Sequence, residues 1–315
     1  ATSPHHFGGF LGALGGDRMS EHQWASTEHN IDVCGLFQLL AHFTQRKSWS
    51  DKAAHARSFV EAMWNVGGGF FHAGTPNPDV TYPEPGSGLA PSAPTGDPNL
   101  INAVQVPEDA QTWSYLCLAE PEFSGSLDWA AAKLGNTDTS ASANNELPAG
   151  YAISGVTFSD RSKVLSGAVP SGIANNDRDA VWLEGTAHLA AALLYREEHG
   201  GTARGERIDH VRAADYLAAI VSAQENLGRV TAGANPVQQS VGFTRRANGA
   251  LSDPGEGGDW AGTALPPRAG VVAASSDFDT GFGVGYFQRQ HVAATTWLLL
   301  AAQGMNPFSL GDWTP

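Results

Sequence analysis

The sequence predicts an all-α fold built as a ring or solenoid of helical hairpins, and three observations carry that expectation. Apolar residues recur at i, i+3, i+4 and i+7 in seven stretches. The period-2 alternation of half-buried strands is nearly absent. The connections alternate between short and long, so the stretches read as a repeat of helix pairs, with an irregular helical bundle as the alternative.

In chain order the expected helices are Glu28–Phe43, Ser50–Asn65, Asp109–Ala119, Leu127–Leu134, Trp182–Glu198, Ile208–Glu225 and Phe287–Gln303. The first follows Ser26 and Thr27, either of which can serve as its N-cap. Ile31–Phe37, Leu183–Leu194 and His291–Ala302 are apolar nearly all round, which marks inner helices covered on every side. Asp51–Trp64 and Arg207–Ala223 carry charge on one face and apolar residues on the other, as outer helices do. The inner-to-outer links are short (Thr44–Trp49, Glu120–Ser126, His199–Arg207). The returning links Val66–Glu108, Gly135–Val181 and Asn226–Tyr286 are long and rich in Gly, Pro, Ser and Asn. Long loops in a compact domain are usually functional. If successive helices alternate in direction, every long link lies at the end that holds the inner-helix N-termini, and acids converge there. Two glycine turns followed by aromatics, Gly8-Gly9-Phe10 and Gly67-Gly68-Gly69-Phe70-Phe71, add to the impression of a repeat.

Composition narrows the function. A chain of 315 residues, 42% hydrophobic and 16% charged, can bury a full core, so residues 1–315 read as one folded domain. Eighteen Lys and Arg against 32 Asp and Glu leave a net charge of -14, which argues against nucleic acid or an anionic membrane as partner. No stretch approaches the roughly 18 apolar residues of a membrane span. The chain opens at Ala1 without a leader, so any signal peptide is expected to have been removed or left out. Few Lys and many Gly, Ser and Asn fit a secreted or periplasmic bacterial protein. Cys34 and Cys117 both fall in apolar helical stretches; buried thiols are favoured over a single bridge. No phosphate-cradling loop, His-Glu-x-x-His helix or Gly-x-Ser-x-Gly elbow is found, and no cofactor or metal is expected. No protein partner is indicated.

The densest polar cluster is Ser26-Thr27-Glu28-His29-Asn30-Ile31-Asp32, where Glu28 and Asp32 share a helix face one turn apart. Glu108-Asp109-Ala110-Gln111-Thr112-Trp113 and Trp182-Leu183-Glu184-Gly185-Thr186-Ala187-His188 repeat the theme at two further inner-helix starts. First-turn acids also complement a helix dipole. Three at equivalent positions suggest more, because a carboxylic acid facing a carboxylate is what glycosidic cleavage requires. The catalytic candidates are therefore Glu28, Asp32, Asp109 and Glu184, with Glu184 or Glu28 as the acid. Candidates for substrate binding are His29, Asn30, Trp113, Trp182, Trp260, Tyr286, Arg289 and His291, the indoles serving as stacking surfaces for sugar rings. Asp277-Phe278-Asp279-Thr280-Gly281 reads as a structural turn, since it lacks a full calcium loop.

The segments Thr27–Asp32, Asp109–Trp113, Trp182–Ala187 and His291–Phe308 resemble secreted bacterial (α/α)-toroid carbohydrate-active enzymes, a group of glycoside hydrolases and polysaccharide lyases. The resemblance implies an (α/α)n toroid, of six hairpins or an incomplete ring, with acids at the inner-helix N-termini lining a groove. A closed ring of six hairpins takes about twelve helices. Seven are read here, so the chain is either the later part of a longer toroid or a smaller, open one. The expected function is a glycoside hydrolase acting on a polysaccharide or oligosaccharide, inverting, through two carboxylates. Two alternatives stand beside it. One is a polysaccharide lyase, in which His29 or His291 and Tyr286 act on a uronate neutralised by Asn30 and by Arg178, Arg245, Arg246 and Arg289. The other is a non-catalytic glycan-binding toroid.

Overall fold

The computed structural model describes residues 24–76, 100–166, 175–199, 208–232 and 268–309, together with residues 7–11 and shorter pieces between these spans. The fold is all-α. The described helices are α1 Thr27–Thr44, α2 Lys47–Ala62, α3 Asp109–Leu118, α4 Gly125–Lys133, α5 Leu183–Glu198, α6 Ile208–Asn226 and α7 Val292–Ala302. The pairs α1–α2, α3–α4 and α5–α6 are hairpins whose inner members pack in the order α1, α3, α5, α7.

Local chemistry sets the boundaries. Ser26 sits extended before α1, and its hydroxyl accepts a hydrogen bond from His29 N. Gln45 and Ala119 end α1 and α3 in the left-handed region, each returning its N–H to the carbonyl four residues back. The last helix begins at Val292, five residues later than periodicity suggests. Residues 287–290 instead bend and are tied to the returning link, with Ala273 N donating to Arg289 O at 2.7 Å and Ala274 N to Phe287 O at 3.2 Å. His291 then caps α7 by accepting from Ala294 N at 3.4 Å.

The long links contain antiparallel strand pairs that the sequence reading missed. Trp64–Asn65 pairs with Phe70–Phe71, Gly135–Thr139 with Ala152–Val156, and Phe278–Asp279 with Gly285–Tyr286. With two to five residues per strand, alternation has too few repeats to register.

These links fix the inner-helix starts. Thr27 N donates to Ala73 O, Glu108 N to Phe158 O, Leu183 N to Ala273 O and His291 N to Val271 O, all at 2.8–3.0 Å. Each inner helix thus begins against a strand-like segment, which lines the N-termini up at one end of the bundle.

One hydrophobic core runs through all seven helices, with Ile31, Phe59, Leu116, Leu127, Leu189, Ile220 and Leu298 among its members. Cys34 and Cys117 lie in it as free buried thiols. The space between the inner helices is filled by side chains: Trp113 of α3 stacks on Trp297 of α7 at 5.7 Å, and His188 of α5 meets the Trp297 ring at 4.3 Å. Phe308 also reaches Trp113, and Asn306 donates to Leu116 O. Helices α3 and α5 are covered on every side as expected. The terminal members of the row are not: α1 exposes Leu36 and Phe43, and α7 exposes Val292 and Leu299. Each has one inner helix beside it where α3 and α5 have two.

Candidate active site

The inner-helix N-termini open onto a cavity of about 460 Å³. Glu28 from α1, Asp109 from α3 and Glu184 from α5 line it, so three carboxylates enter from three helices. Trp24, Trp113, Phe158, Trp182, Phe282 and Tyr286 form its apolar surface, and Ser26, His29, Thr75 and Asn102 its polar rim.

The fold places each acid by backbone pairing. Glu28 follows the pinned Ser26-Thr27 pair, whose Thr27 hydroxyl donates to His72 O at 2.6 Å and whose Ser26 bridges Gly74. Gly74 has φ 134, and a Cβ there would stand 2.2 Å from Ala25 O, so the close approach of the two segments requires glycine. Gln111 ties α3 to the first hairpin by accepting from Phe71 N and donating to Phe71 O, both at 2.8 Å. At α5, Gly185 lets the Trp182 indole fold over the first turn, since a Cβ would lie 2.1 Å from its Cε3. Trp182 then packs on Phe158 at 4.7 Å and Tyr286 at 5.4 Å.

Behind the cavity wall lies a fully buried imidazole. Nδ1 of His188 is 3.2 Å from Glu108 Oε2, and its Nε2 is 3.6 Å from Glu184 Oε1. Glu184 Oε2 is also 3.5 Å from Nδ1 of His291. Glu108 Oε1, Glu184 Oε2 and His188 Nε2 are buried and find no hydrogen-bond partner among the described residues. Unmatched buried polar atoms are costly and mark places where function outweighs stability.

The electrostatics follow from this crowding. Burial, then the charge of Glu184, pushes the Glu28 carboxyl up, against a downward pull from His188. Burial, then Glu28 and Glu108, holds Asp109 well above the ordinary aspartate range. Burial likewise raises Glu108, opposed by its contact with His188. Burial alone would pull His188 down, but Glu108 and Glu184 overcome it and push the imidazole up to about 9. Tyr286 is raised by burial and by the negative charge of Glu184, Asp109 and Glu28. The site therefore sets carboxyl groups that burial and mutual repulsion raise beside an imidazole that they raise in turn, and such perturbed groups cluster at functional sites.

Of the residues singled out by sequence, Glu28, His29, Asp109, Trp113, Trp182, Glu184 and Tyr286 come together around the cavity. His291 stands just behind Glu184 but is engaged as the α7 cap. Asp32 lies one turn below Glu28 and is exposed rather than part of the lining, with its carboxyl pushed up to about 6 by desolvation and by Glu28. Asn30 is turned away: it accepts from Phe10 N at 2.7 Å and donates to Phe10 O and Ser26 O, clamping the segment before α1. Arg289 is directed elsewhere, donating to Gln288 O beside the charge of Glu146. Arg178 lines a separate pocket, and Trp260 and Arg246 lie outside the described residues. Asp279 and Asp277 accept from Gly281 N and Gln288 N, as a structural turn requires. Glu108 and the role of His188 were missed as site features; the signal available was an acid directly before the flagged Asp109 and a His one turn after the flagged Glu184. Among the described residues no group of three or more His, Cys, Asp and Glu is placed to hold a metal ion, and no helix is long and apolar enough to cross a membrane.

No protein-family model and no curated protein sequence matches the chain. Among solved structures it is similar to a GH76 α-mannanase of Bacteroides thetaiotaomicron, with 13% identity and a TM-score of 0.37 over 89% of this chain and 70% of that one.

Proposed function

We propose that the protein is a glycoside hydrolase of a polysaccharide or oligosaccharide, acting through two carboxyl groups of different protonation. The observation that carries this reading is the meeting of Glu28, Asp109 and Glu184 in one aromatic-walled cavity. Glu184, 3.6 Å from Nε2 of His188 and lining the cavity, is the group placed to activate water or attack carbon. Glu28, raised by burial and reachable from the cavity, is the acid that protonates the leaving oxygen, with Asp109 on the wall between them. Glu28 and Glu184 reach the cavity from α1 and α5, the two helices that flank α3. Inverting enzymes keep their carboxyls about 6.5–9.5 Å apart to admit a water, and inversion is the proposed outcome. Trp24 and Trp113 supply apolar faces for sugar rings, with Trp182 packed behind them in the wall. A polymeric glycan substrate fits the secreted or periplasmic setting suggested by composition.

The lyase alternative needs a cation to neutralise a uronate. No Arg or Lys lines the cavity among the described residues, and Tyr286, its candidate base, is pushed up rather than down. The test is incubation with a panel of neutral and uronate polysaccharides, read by new reducing ends and by absorbance of unsaturated uronate. Reducing ends without that absorbance, abolished in Glu184→Gln, are expected. Both signals together would establish β-elimination, and binding without turnover on every glycan would leave the non-catalytic toroid. The anomer first released, seen by NMR, decides inversion.

A further inference from the structure

We propose that Glu108 and His188 form a buried carboxylate–imidazolium pair that positions Glu184, with His188 presenting its Nε2 proton to the Glu184 carboxylate from behind the cavity wall. The proposal rests on the hydrolase reading for its purpose, and on geometry for its existence.

His188 is fully enclosed by Trp113 at 5.0 Å, Trp182 at 5.2 Å and Trp297 at 4.3 Å. Three indoles surround the ring, so both of its nitrogens face protein groups. Glu108 takes the Nδ1 side at 3.2 Å, and Glu184 is the group nearest the Nε2 side at 3.6 Å. With Glu108 accepting from Nδ1–H, protonation at Nε2 leaves one donor aimed at Glu184. An unpaired buried charge is costly, so the imidazolium and the two carboxylates depend on each other.

The titratable groups facing His188 come from every helix around it. They are Glu28 on α1, Glu108 and Asp109 on α3 and Glu184 on α5, with His291 at the start of α7 on the far side of Glu184. Neither Glu108 nor His188 lines the cavity. They act through Glu184 and are positioning residues. Their removal takes away the group that stands 3.6 Å behind the Glu184 carboxyl and so loosens its placement.

The pair is tested without reference to turnover by following the His188 ring through a pH titration with ¹⁵N NMR. In the unmodified protein the ring is expected to stay protonated to about pH 9. In Glu108→Gln and in Glu184→Gln, each of which removes one of the two charges that raise it, the midpoint falls by about one pH unit or more. A midpoint near 6.5 in the unmodified protein, or one unmoved by Glu184→Gln, overturns the pair. The second readout is kcat/KM against pH on a glycan the enzyme turns over. Glu108→Gln keeps the shape and the Nδ1 contact, so it folds where His188→Asn fails. It is expected to lower kcat about 10- to 100-fold with KM within about twofold, and to move the acid limb of the profile upward by about one unit. A fall in kcat with the acid limb unmoved would leave a structural role only and overturn the positioning. Absence of turnover on every glycan would instead defeat the hydrolase reading, and with it the purpose of the pair, while the titration still decides whether the pair exists.

Discussion

Helix α5 carries a buried ionic cluster at each end, and the two are built on opposite rules. Near its C-terminus Arg196 is 4% exposed and uses all five of its N–H groups: two on Asp209 at 2.7 and 2.8 Å, two on Asp128 at 3.0 and 3.1 Å, and one on Ser124 O at 2.8 Å. Arg212 adds a second cation, and although burial works against it, Arg196 and Arg212 hold Asp128 below the ordinary aspartate range. Charges match and donors are used, so the cluster joins α4, α5 and α6 and does nothing else. At the N-terminal end four carboxyls, Glu28, Glu108, Asp109 and Glu184, crowd around one imidazole, and three of the polar atoms of these five side chains find no hydrogen-bond partner among the described residues. A satisfied network stabilises; a frustrated one facing a cavity stores the charge imbalance that catalysis needs.

The sharpest way to break the contrast is to disable each end in turn. Glu184→Gln is expected to lower turnover by about 10²- to 10⁴-fold, the usual worth of a positioned acid or base, with a stability loss of only about 1 kcal/mol from the weakened hold on His188. Arg196→Ala is expected to do the reverse. It leaves the buried Asp209 with only the 3.5 Å contact to Arg212 and costs about 3 kcal/mol of stability, read from urea unfolding, while turnover per folded molecule stays within a few-fold. Swapped outcomes would mean that the two clusters have been assigned the wrong way round.

Stability against pH separates the ends more finely. His188 lies above its ordinary 6.5, at about 9, so its stabilising contribution is complete below about pH 6.5 and is lost as pH rises through about 9. That shift corresponds to about 3 kcal/mol for a fully buried group. The raised carboxyls Glu28, Glu108 and Asp109 act in the same direction: their contribution is present below the ordinary carboxyl range and is lost as pH rises. Unfolding free energy is therefore expected to decline between pH 6 and 9, and to decline less in Glu108→Gln. Asp128, lowered instead, contributes stability above the ordinary aspartate value that is lost only on acidification. A flat profile from pH 6 to 9 would show that His188 is not a buried cation.

The contrast also explains what was readable in the sequence. Helices announce themselves because ten to twenty residues repeat a 3.6 period, and the alternation of link lengths placed Glu28, Asp109 and Glu184 at one end without any coordinate. Those are statements about position along the chain. Which way a side chain turns is a statement about neighbours far away in sequence. Asn30 is bound by Phe10 and Arg289 is drawn toward Glu146, so neither reaches the cavity that their positions suggested. Glu108 escaped notice beside Asp109, because only the approach of α5 eighty residues later turns it from a cap into the partner of His188. The strands of the links were too short to carry a period at all.

The smallest expected effect concerns the start of α1, where hydroxyl and backbone share one task. Ser26 accepts from His29 N at a long 3.4 Å, while Thr27 N and the Thr27 hydroxyl hold the same turn to Ala73 O and His72 O at 2.9 and 2.6 Å. An N-cap serine is worth about 0.5–2 kcal/mol, and the redundancy here puts Ser26→Ala at the low end. Urea unfolding should shift by about 0.5 kcal/mol, and turnover should change less than about twofold, because Glu28 is placed by the backbone pairing rather than by the cap. Ser26 also lines the cavity. If Ser26→Ala instead lowered turnover as Glu184→Gln does while leaving stability alone, its hydroxyl would belong to the substrate and not to the helix, and the functional end of the bundle would extend from α5 across to α1.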